Sequence, residues 1–468
     1  MLFSSMTFLW IFLPVVFILY RIAKKDILRN ALLLISSFVF YAWGAGPFEI
    51  LLLLLAIAVN YGFGLMLGAR QTRGKVLLAA AVAINAAALC VFKFAFLAGR
   101  LPSAASGFAG RIAALVMPVG ISFYTFQNIA YLIDIYRGEL QAERSFFVYA
   151  VNISFFPKLI SGPIADNGSM LRQIRAREIG AAKTAYGIKR FIYGLGKKVI
   201  IANQLATAAD GLFDLEIRYA PTGYLWMAAI LYTFQLYYDS SGYADMAIGL
   251  GQMFGFDLPE NFNYPYIAGS ITDFWKRWHM SLTGWFRKYV YFPLGGNRKG
   301  AARTLVNIGI IFLLTGIWHG AGFCFIAWGL WHGAFMILER ALKPKMGKIR
   351  IPGIIRRVYT LLVVIIGWVF FRAGSLTRAL SMIRAMLIYQ AGDALPLRMF
   401  VSTGTLAVLA AAIIFAGPVQ TLFPKLKAAV YDKEHTGWLQ ICGLTAILVL
   451  SIVFIVSGTY NAFIYFRF

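Results

Sequence analysis

The chain carries only four histidines, His279, His319, His332 and His435, and the first three fall in or beside strongly apolar segments. A neutral imidazole titrates close enough to physiological pH to take a proton from a hydroxyl, so each is a candidate general base. Ionisable groups are costly inside a membrane and tend to mark function there. The blander reading is that each histidine merely hydrogen-bonds to neighbouring helices. His319 stands in GIWHG (residues 316–320), at the end of an apolar run and flanked by glycine, where backbone or a small molecule can approach closely. His332 repeats the pattern in GLWHG (residues 329–333) on the next run. The residues alone do not rank one above the other. His435 sits in a polar stretch, DKEHTG, and reads as a solvated bystander.

His279 lies in DFWKRWHMSLTGWFRKYVYFPLGGNR (residues 273–298), which is too polar to span a membrane and too aromatic for a plain loop. On a continuous helix Trp275 and Lys276 would each share a face with His279. Lys276, Arg277, Arg287 and Lys288 make this segment basic, with Asp273 at its head. Trp275, Trp278 and Trp318 suit the wall of a passage; tryptophans of a lipid interface or of plain packing are the alternative. Other chemistries lack their signatures. No HExxH, CxxC, P-loop or GxSxG is present, so the residues give no metal site. Cys90, Cys324 and Cys442 lie far apart in apolar surroundings and read as small buried side chains. Asp239, Asp245 and Asp257 read as capping and pairing residues, and Ser240-Ser241-Gly242 as a turn of the chain.

Composition supplies the frame that must hold these groups. Of 468 residues 60% are hydrophobic and 13% charged, and the mean hydropathy is +0.71; a soluble domain is nearer half apolar and a quarter charged. Apolar runs of roughly 20 residues, the length of a bilayer-spanning helix, recur along the whole chain. The first, residues 6–23, has no basic stretch before it and no small-residue cleavage site after it, and reads as a retained span. The net charge of +25 sits in short clusters between apolar runs, as in cytoplasmic loops of membrane proteins. Nucleic acid binding would need a soluble basic face with exposed aromatics and is excluded.

Placing the basic clusters on the cytoplasmic side predicts spans at residues 6–23, 30–44, 47–69, 76–98 and 112–133. An apolar stretch at 146–163, broken by Pro157, Gly162 and Pro163 and carrying Lys158, reads as a re-entrant loop that must pack inside protein. Residues 172–198 read as interfacial helices whose apolar positions are Tyr186, Ile188, Phe191 and Ile192. A weaker pair, 199–213 and 222–238, precedes a cytoplasmic insert at 239–303. Further spans follow at 304–318, 321–338, 359–371, 402–419 and 438–456. His279 then belongs to the insert and His319 to the outer end of its span, so a cavity lined by both would cross most of the membrane. The expected architecture is an all-α polytopic protein of about 10–12 spans with re-entrant and interfacial helices. Residues 1–468 form one membrane domain with both termini extracytoplasmic. A transporter with a midplane site at the Pro157 and Gly162 breaks is the rival reading.

At these segments the sequence resembles the membrane-bound O-acyltransferase (MBOAT) family, and within it the bacterial alginate O-acetyltransferase, AlgI-type branch. The likeness runs along nearly the whole chain. It includes SSFVFYAWG (36–44), PVGISFYTFQNIAYLIDIYRG (118–138), SFFPKLISGPI (154–164), YYDSSGYADMAIGLGQMFGF (237–256), residues 261–298, GIWHG and the closing FIYFRF (463–468). Ser240 departs from the branch, which usually carries an aromatic there. The resemblance implies an MBOAT-type helical fold, with His319 as the essential intramembrane residue and His279 as the second important histidine, on the donor side. It implies transfer of an acyl group, acetyl in the simplest case, from cytoplasmic acetyl-CoA to hydroxyls of an extracytoplasmic polysaccharide such as alginate. The donor is a substrate whose phosphates would meet Lys276, Arg277, Arg287 and Lys288, beside Asp273, and whose acyl end would enter a tunnel walled by Trp275, Trp278 and Trp318; no bound cofactor is implied. Transfer would run directly or through extracytoplasmic acetylation partner proteins, in a chain set among lipids of the bacterial inner membrane. D-alanyl transfer to another envelope polymer uses the same scaffold and is the alternative.

Overall fold

The computed structural model describes the chain except for residues 70–73, 99–116, 321, 347–350, 394, 433–436 and 459–468. His435 and the closing aromatic motif therefore lie outside the described residues, as does the start of the expected span at 112–133. Among the described residues every regular element is a helix. In chain order they are α1 (Leu13–Ile22), α2 (Asp26–Ala42), α3 (Pro47–Gly68), α4 (Gly74–Ala98), α5 (Ile121–Tyr136), α6 (Phe146–Ser154), α7 (Phe156–Leu159), α8 (Asn167–Arg175), α9 (Ala181–Gly196), α10 (Asn203–Phe213) and α11 (Thr222–Met253). After these come α12 (Ile271–Trp275), α13 (Met280–Phe286), α14 (Ala301–His319), α15 (Phe323–Met346), α16 (Gly353–Arg372), α17 (Leu376–Leu387), α18 (Thr403–Phe415), α19 (Pro418–Leu422), α20 (Pro424–Tyr431) and α21 (Trp438–Ser457). Among the described residues six helices are long and apolar enough to cross a membrane, and Phe8–Ile22 is a shorter apolar one. Their outward faces carry large apolar side chains such as Trp10, Leu51, Val76, Leu439 and Val453. A water-soluble surface would not carry so many; lipid-facing helices do. The protein is an all-α polytopic membrane protein.

The chain divides into two compact units, Met1–Phe191 with Asp245–Pro259, and Ile192–Ala244 with Glu260–Phe468. In the first, α3 and α4 are tied by reciprocal side-chain hydrogen bonds between Asn60 and Asn85, at 3.2 and 2.7 Å. The expected re-entrant stretch is two short helices, α6 and α7, broken at Phe155 just ahead of the Pro157 turn. Residues 149–165 are buried throughout, as a non-spanning backbone in a membrane requires. Lys158 is wholly buried there, its ammonium donating to Gln127 Oε1 at 2.6 Å and Asn152 Oδ1 at 3.3 Å.

Helix α9 corrects one expectation. Ile188, assigned to its apolar face, is exposed, whereas Lys189 and Arg190 are buried. Arg190 donates to Asp245 at 2.5 Å and to the Tyr186 hydroxyl at 3.0 Å; a buried guanidinium is tolerable once it is paired and hydrogen-bonded. The cysteines correct another: only Cys324 is buried, and Cys90 and Cys442 lie on outward faces of apolar helices.

In the second unit α14 and α15 pack against each other with almost no side chain between them. A Cβ on Gly316 would stand 2.5 Å from the Phe325 carbonyl oxygen, so glycine here is what permits the contact, as in other close helix pairs in membranes. Helix α11 continues well past the expected span end at residue 238, taking the first part of the predicted insert into the helix. Its Asp239 does not end the buried segment because Lys198 neutralises it at 2.5 Å, both side chains almost fully enclosed. Asp257 pairs with Lys183 at 3.1 Å in the first unit. The three aspartates thus all serve as pairing residues.

Candidate active site

His319 is the last residue of α14. The helix stops because Gly320 turns to an extended backbone, and an added Cβ there would meet the Phe325 ring. The imidazole is buried in an aromatic collar, with ring centroids 4.7 Å from Trp318, 4.8 Å from Trp328 and 5.1 Å from Phe371, each close to edge-on.

His279 arrives from a different direction. The helix expected through residues 273–279 is broken: α12 ends at Trp275, and His279 takes a left-handed backbone (φ 47°) at the start of α13. His279 therefore shares a face with neither Trp275 nor Lys276; it is buried and Lys276 is exposed. A non-glycine residue in this conformation is uncommon and needs support from its surroundings. The support comes from residues 261–263. Met280 N donates to the Asn261 carbonyl at 2.9 Å and Asn263 N to the Arg277 carbonyl at 2.9 Å. Asn261 Oδ1 accepts from Ser281 N and Oγ at 3.1 and 2.9 Å. Glu339 of α15 caps α12, accepting from Ile271 N at 2.5 Å and Thr272 N at 3.0 Å. Burial pushes the His279 pKa down to about 4, slightly opposed by a backbone hydrogen bond, so the ring is neutral at physiological pH.

The two histidines are close. The His279 ring lies 6.3 Å from the Trp318 ring, and Trp318 is itself in contact with His319. A single indole separates them, so the aromatic insert meets the end of α14 and the wide separation expected between the two histidines is not what the structure has. Beyond His319 the pattern repeats, with Trp328 5.5 Å from His332 and His332 5.3 Å from Trp275. His332 is wholly buried and lies parallel to Phe274, at 9° and 6.1 Å. Neither of its ring nitrogens has a hydrogen-bond partner among the described residues, and the same holds for the indole N–H groups of Trp275 and Trp328. Buried polar atoms left this way are costly.

The structure thus gathers His279, His319, Trp275, Trp278 and Trp318 into one aromatic assembly; Trp278 packs against Phe274 at 5.6 Å and Trp368 at 4.9 Å. It leaves the proposed basic residues outside. Arg277 is paired with Asp273 at 2.9 Å on a partly exposed flank, Lys276 and Arg287 are exposed, Arg287 lies over Phe292, and Lys288 over Tyr289. Trp328, Trp368 and Phe371 belong to the collar and were not singled out from the sequence. Trp328 had a signal, since it stands one helical turn before His332. Among the described residues no three His, Cys, Asp or Glu side chains converge as a metal set would.

Two buried histidines from separate elements thus meet within one aromatic cluster, a single indole between them. Residues 141–383 match the membrane-bound O-acyltransferase family, MBOAT, and the chain belongs to that family. It is 41% identical to a protein of Pseudomonas aeruginosa described as a probable alginate O-acetylase, AlgI, over 92% of this chain and 85% of that one. A Pseudomonas putida protein of the same description is 39% identical over the full length of both. A peptidoglycan O-acetyltransferase of Helicobacter pylori is 32% identical over all of this chain and 98% of its own. The protein is a membrane-bound O-acyltransferase.

Proposed function

We propose that the enzyme moves an acetyl group from a cytoplasmic thioester, acetyl-CoA, to a hydroxyl of an extracytoplasmic polysaccharide, directly or through a partner protein that relays it. It would do so in the bacterial inner membrane, with both termini on the outer side. The observation that carries this reading is the pairing of His279 and His319 across one indole within a buried aromatic cluster.

His319 acts as general base. It takes the proton of the acceptor hydroxyl as the oxygen attacks the acyl carbon; the C–O bond forms, the C–S bond breaks, and the proton passes from the imidazolium to the departing thiolate. His279, kept neutral by burial, accompanies the donor, and indole N–H groups such as that of Trp275 are available to the developing oxyanion. Lys276, Arg287 and Lys288, with Arg277 in its Asp273 pair, present a basic surface for the donor phosphates. Acetyl is favoured as the acyl group because relatives that span the full chain are described as O-acetylating enzymes, whereas a teichoic acid D-alanyltransferase of Bacillus subtilis matches 44% of it.

The test is polysaccharide O-acetyl content in cells expressing wild type, His279→Ala, His319→Ala and His332→Ala at matched membrane levels. Loss of acetyl esters in His319→Ala with retention in His332→Ala supports the assignment. Normal acetylation in His319→Ala overturns it, and loss of polymer export in that strain would point to transport instead.

A further inference from the structure

In the second unit, an open groove of about 640 Å³ runs between α17 and the segment before α11, and the transfer chemistry makes no use of it. Arg218, Arg378 and Arg384 line it with Ser375, Thr377 and Ser381, and no acidic side chain is among its lining residues. Its walls are held together by hydrogen bonds. Gln390 Nε2 donates to the carbonyls of Ile217 and Ala220 at 2.6 and 2.5 Å, and Thr222 Oγ1 to that of Ala385 at 2.9 Å.

The groove lies at the level where a membrane meets water. Helix α16 and the helical stretch Thr403–Leu422 are both long and apolar enough to cross a membrane, so residues 373–402 join two spans at one surface. Helix α17, within that connection, is too short to cross. It buries Ala379, Met382, Ala385 and Met386. Its open face carries Leu380, Arg384 and Leu387 on successive turns, and Leu380, Leu387 and Ile388 are each more than half exposed. Leucine and arginine together on an open face mark a helix lying in the plane of a membrane surface, its guanidinium reaching past the apolar neighbours to the headgroups. The aromatic residues agree. Trp226 donates its indole N–H to the Met386 carbonyl at 2.9 Å, the Tyr224 hydroxyl donates to that of Leu395 at 3.0 Å, and Tyr219 and Tyr389 are exposed; tryptophan and tyrosine gather at headgroup depth.

The positive charge there is largely uncommitted. Arg384 is exposed and has no ion-pair or hydrogen-bond partner among the described residues. Arg218 lies over the Tyr219 ring at 4.4 Å and meets Glu216 at 3.0 Å, but with both side chains about two-thirds exposed the ion pair is weak. Arg378 is anchored through one guanidinium nitrogen to the carbonyls of Phe213 and Leu215, which fixes its position without neutralising it.

We propose that this groove is a binding site for one anionic phospholipid. The arginines hold the lipid phosphate, since guanidinium groups recognise phosphate oxygens through paired, charge-assisted hydrogen bonds, and the serine and threonine hydroxyls meet the rest of the headgroup. The acyl chains run over Leu380, Leu387 and Ile388. Free phosphate would leave these apolar side chains in water, whereas a lipid covers them. A zwitterionic headgroup would bring its own cation to a lining without an acidic side chain, so the site favours a lipid of net negative charge.

The experiment is native mass spectrometry of the full-length protein in detergent, titrated with phosphatidylglycerol, with phosphatidylcholine of the same acyl chains, or with inorganic phosphate. Wild type should hold one phosphatidylglycerol at a concentration where phosphatidylcholine adds none, and inorganic phosphate should not displace it. Arg384→Gln should weaken that first binding step about tenfold, the loss expected for one charged hydrogen-bonded contact, with Arg384→Lys recovering part of it. Leu387→Ser should weaken it as well. Arg340→Gln, the loss of an equal charge from an exposed side chain outside the groove lining, should not. Equal affinity in wild type and Arg384→Gln overturns the proposal, and so does an equal loss in Arg340→Gln, which would mean attraction to charge without a site. Displacement by inorganic phosphate, with Leu387→Ser unchanged, would make the occupant a free anion and overturns it too. So does an acidic protein that copurifies through Arg384 while lipid affinity stays the same. His319→Ala should hold the lipid as wild type does, so the site stands or falls apart from the acyl-transfer reading.

Discussion

His279 meets Trp318 edge to face, ring centroids 6.3 Å apart and planes at 81°, so the wall that His279 faces is the residue preceding His319 in the chain. The two histidines approach from separate elements and are held by separate devices, one by a helix end at Gly320, the other by the left-handed turn that residues 261–263 brace. Their independence makes their contributions separable by experiment.

His279 makes stability depend on pH in a definite direction. Its folded-state pKa is depressed to about 4 from an ordinary 6.5, so between these values the unfolded chain binds a proton that the folded one refuses. The stabilisation is fully present above pH 6.5 and is lost as pH falls through that window, by about 3 kcal/mol at most. Thermal unfolding in nanodiscs at pH 7 and pH 4.5 should show a larger drop for wild type than for His279→Gln. Parallel curves for the two proteins would mean that the ring is not enclosed as described.

Gly316 predicts a packing defect. Its missing Cβ leaves room for the Phe325 carbonyl, a backbone group that cannot swing aside as a side chain can. Gly316→Ala should lower stability by about 1–3 kcal/mol and reduce transfer, because the displaced helix end carries His319. Gly284, where an added Cβ meets nothing within 4 Å, is the control: Gly284→Ala should leave both nearly unchanged.

The enclosed Lys198–Asp239 pair predicts non-additivity. Removing one partner strands a buried charge and should cost about 3–5 kcal/mol, whereas removing both with apolar replacements of similar size should cost far less. Asp239→Leu, Lys198→Met and the double variant, compared by unfolding in detergent, give the coupling directly. Additive losses would show that each side chain is held mainly by other neighbours.

The membrane architecture was readable because hydropathy and charge alternation act along contiguous stretches. The expected third span, residues 47–69, and α3 differ by one residue. The motif glycines were also readable as points of close approach, and Gly316 and Gly320 behave so. What escaped were features set by contacts distant in sequence. Arg190 could not be assigned to the interior without knowing that Asp245 meets it, and Asp239 looked like the start of a loop until Lys198 was seen to neutralise it. The break before His279 is of the same kind, since DFWKRWH contains no glycine or proline to end a helix and it is the bonds from residues 261–263 that brace the turn. Proximity of His279 to His319 followed from that turn and so was equally hidden.

His332 is the case in which sequence alone was evenly divided, because GLWHG copies GIWHG almost letter for letter. The structure separates the two by their surroundings. His319 ends a helix, with a glycine turn beyond it; His332 lies mid-helix, wholly enclosed, parallel to Phe274 and with Trp275, Trp328 and Trp368 around it. A ring that serves by filling this cage should tolerate replacement by another flat ring seated as the imidazole is, against the bare backbone of Gly367, where a Cβ would stand 2.5 Å from His332 Nε2. His332→Phe should therefore keep most of the acetyl transfer of wild type, with stability altered by less than about 1.5 kcal/mol, as for other volume-conserving swaps. His319→Phe, equal in shape at a position where a base is required, should abolish transfer while leaving the protein folded. If the two substitutions abolish transfer alike at matched membrane levels, the imidazole of His332 carries chemistry as well as volume, and the base must be sought in the pair rather than in His319 alone.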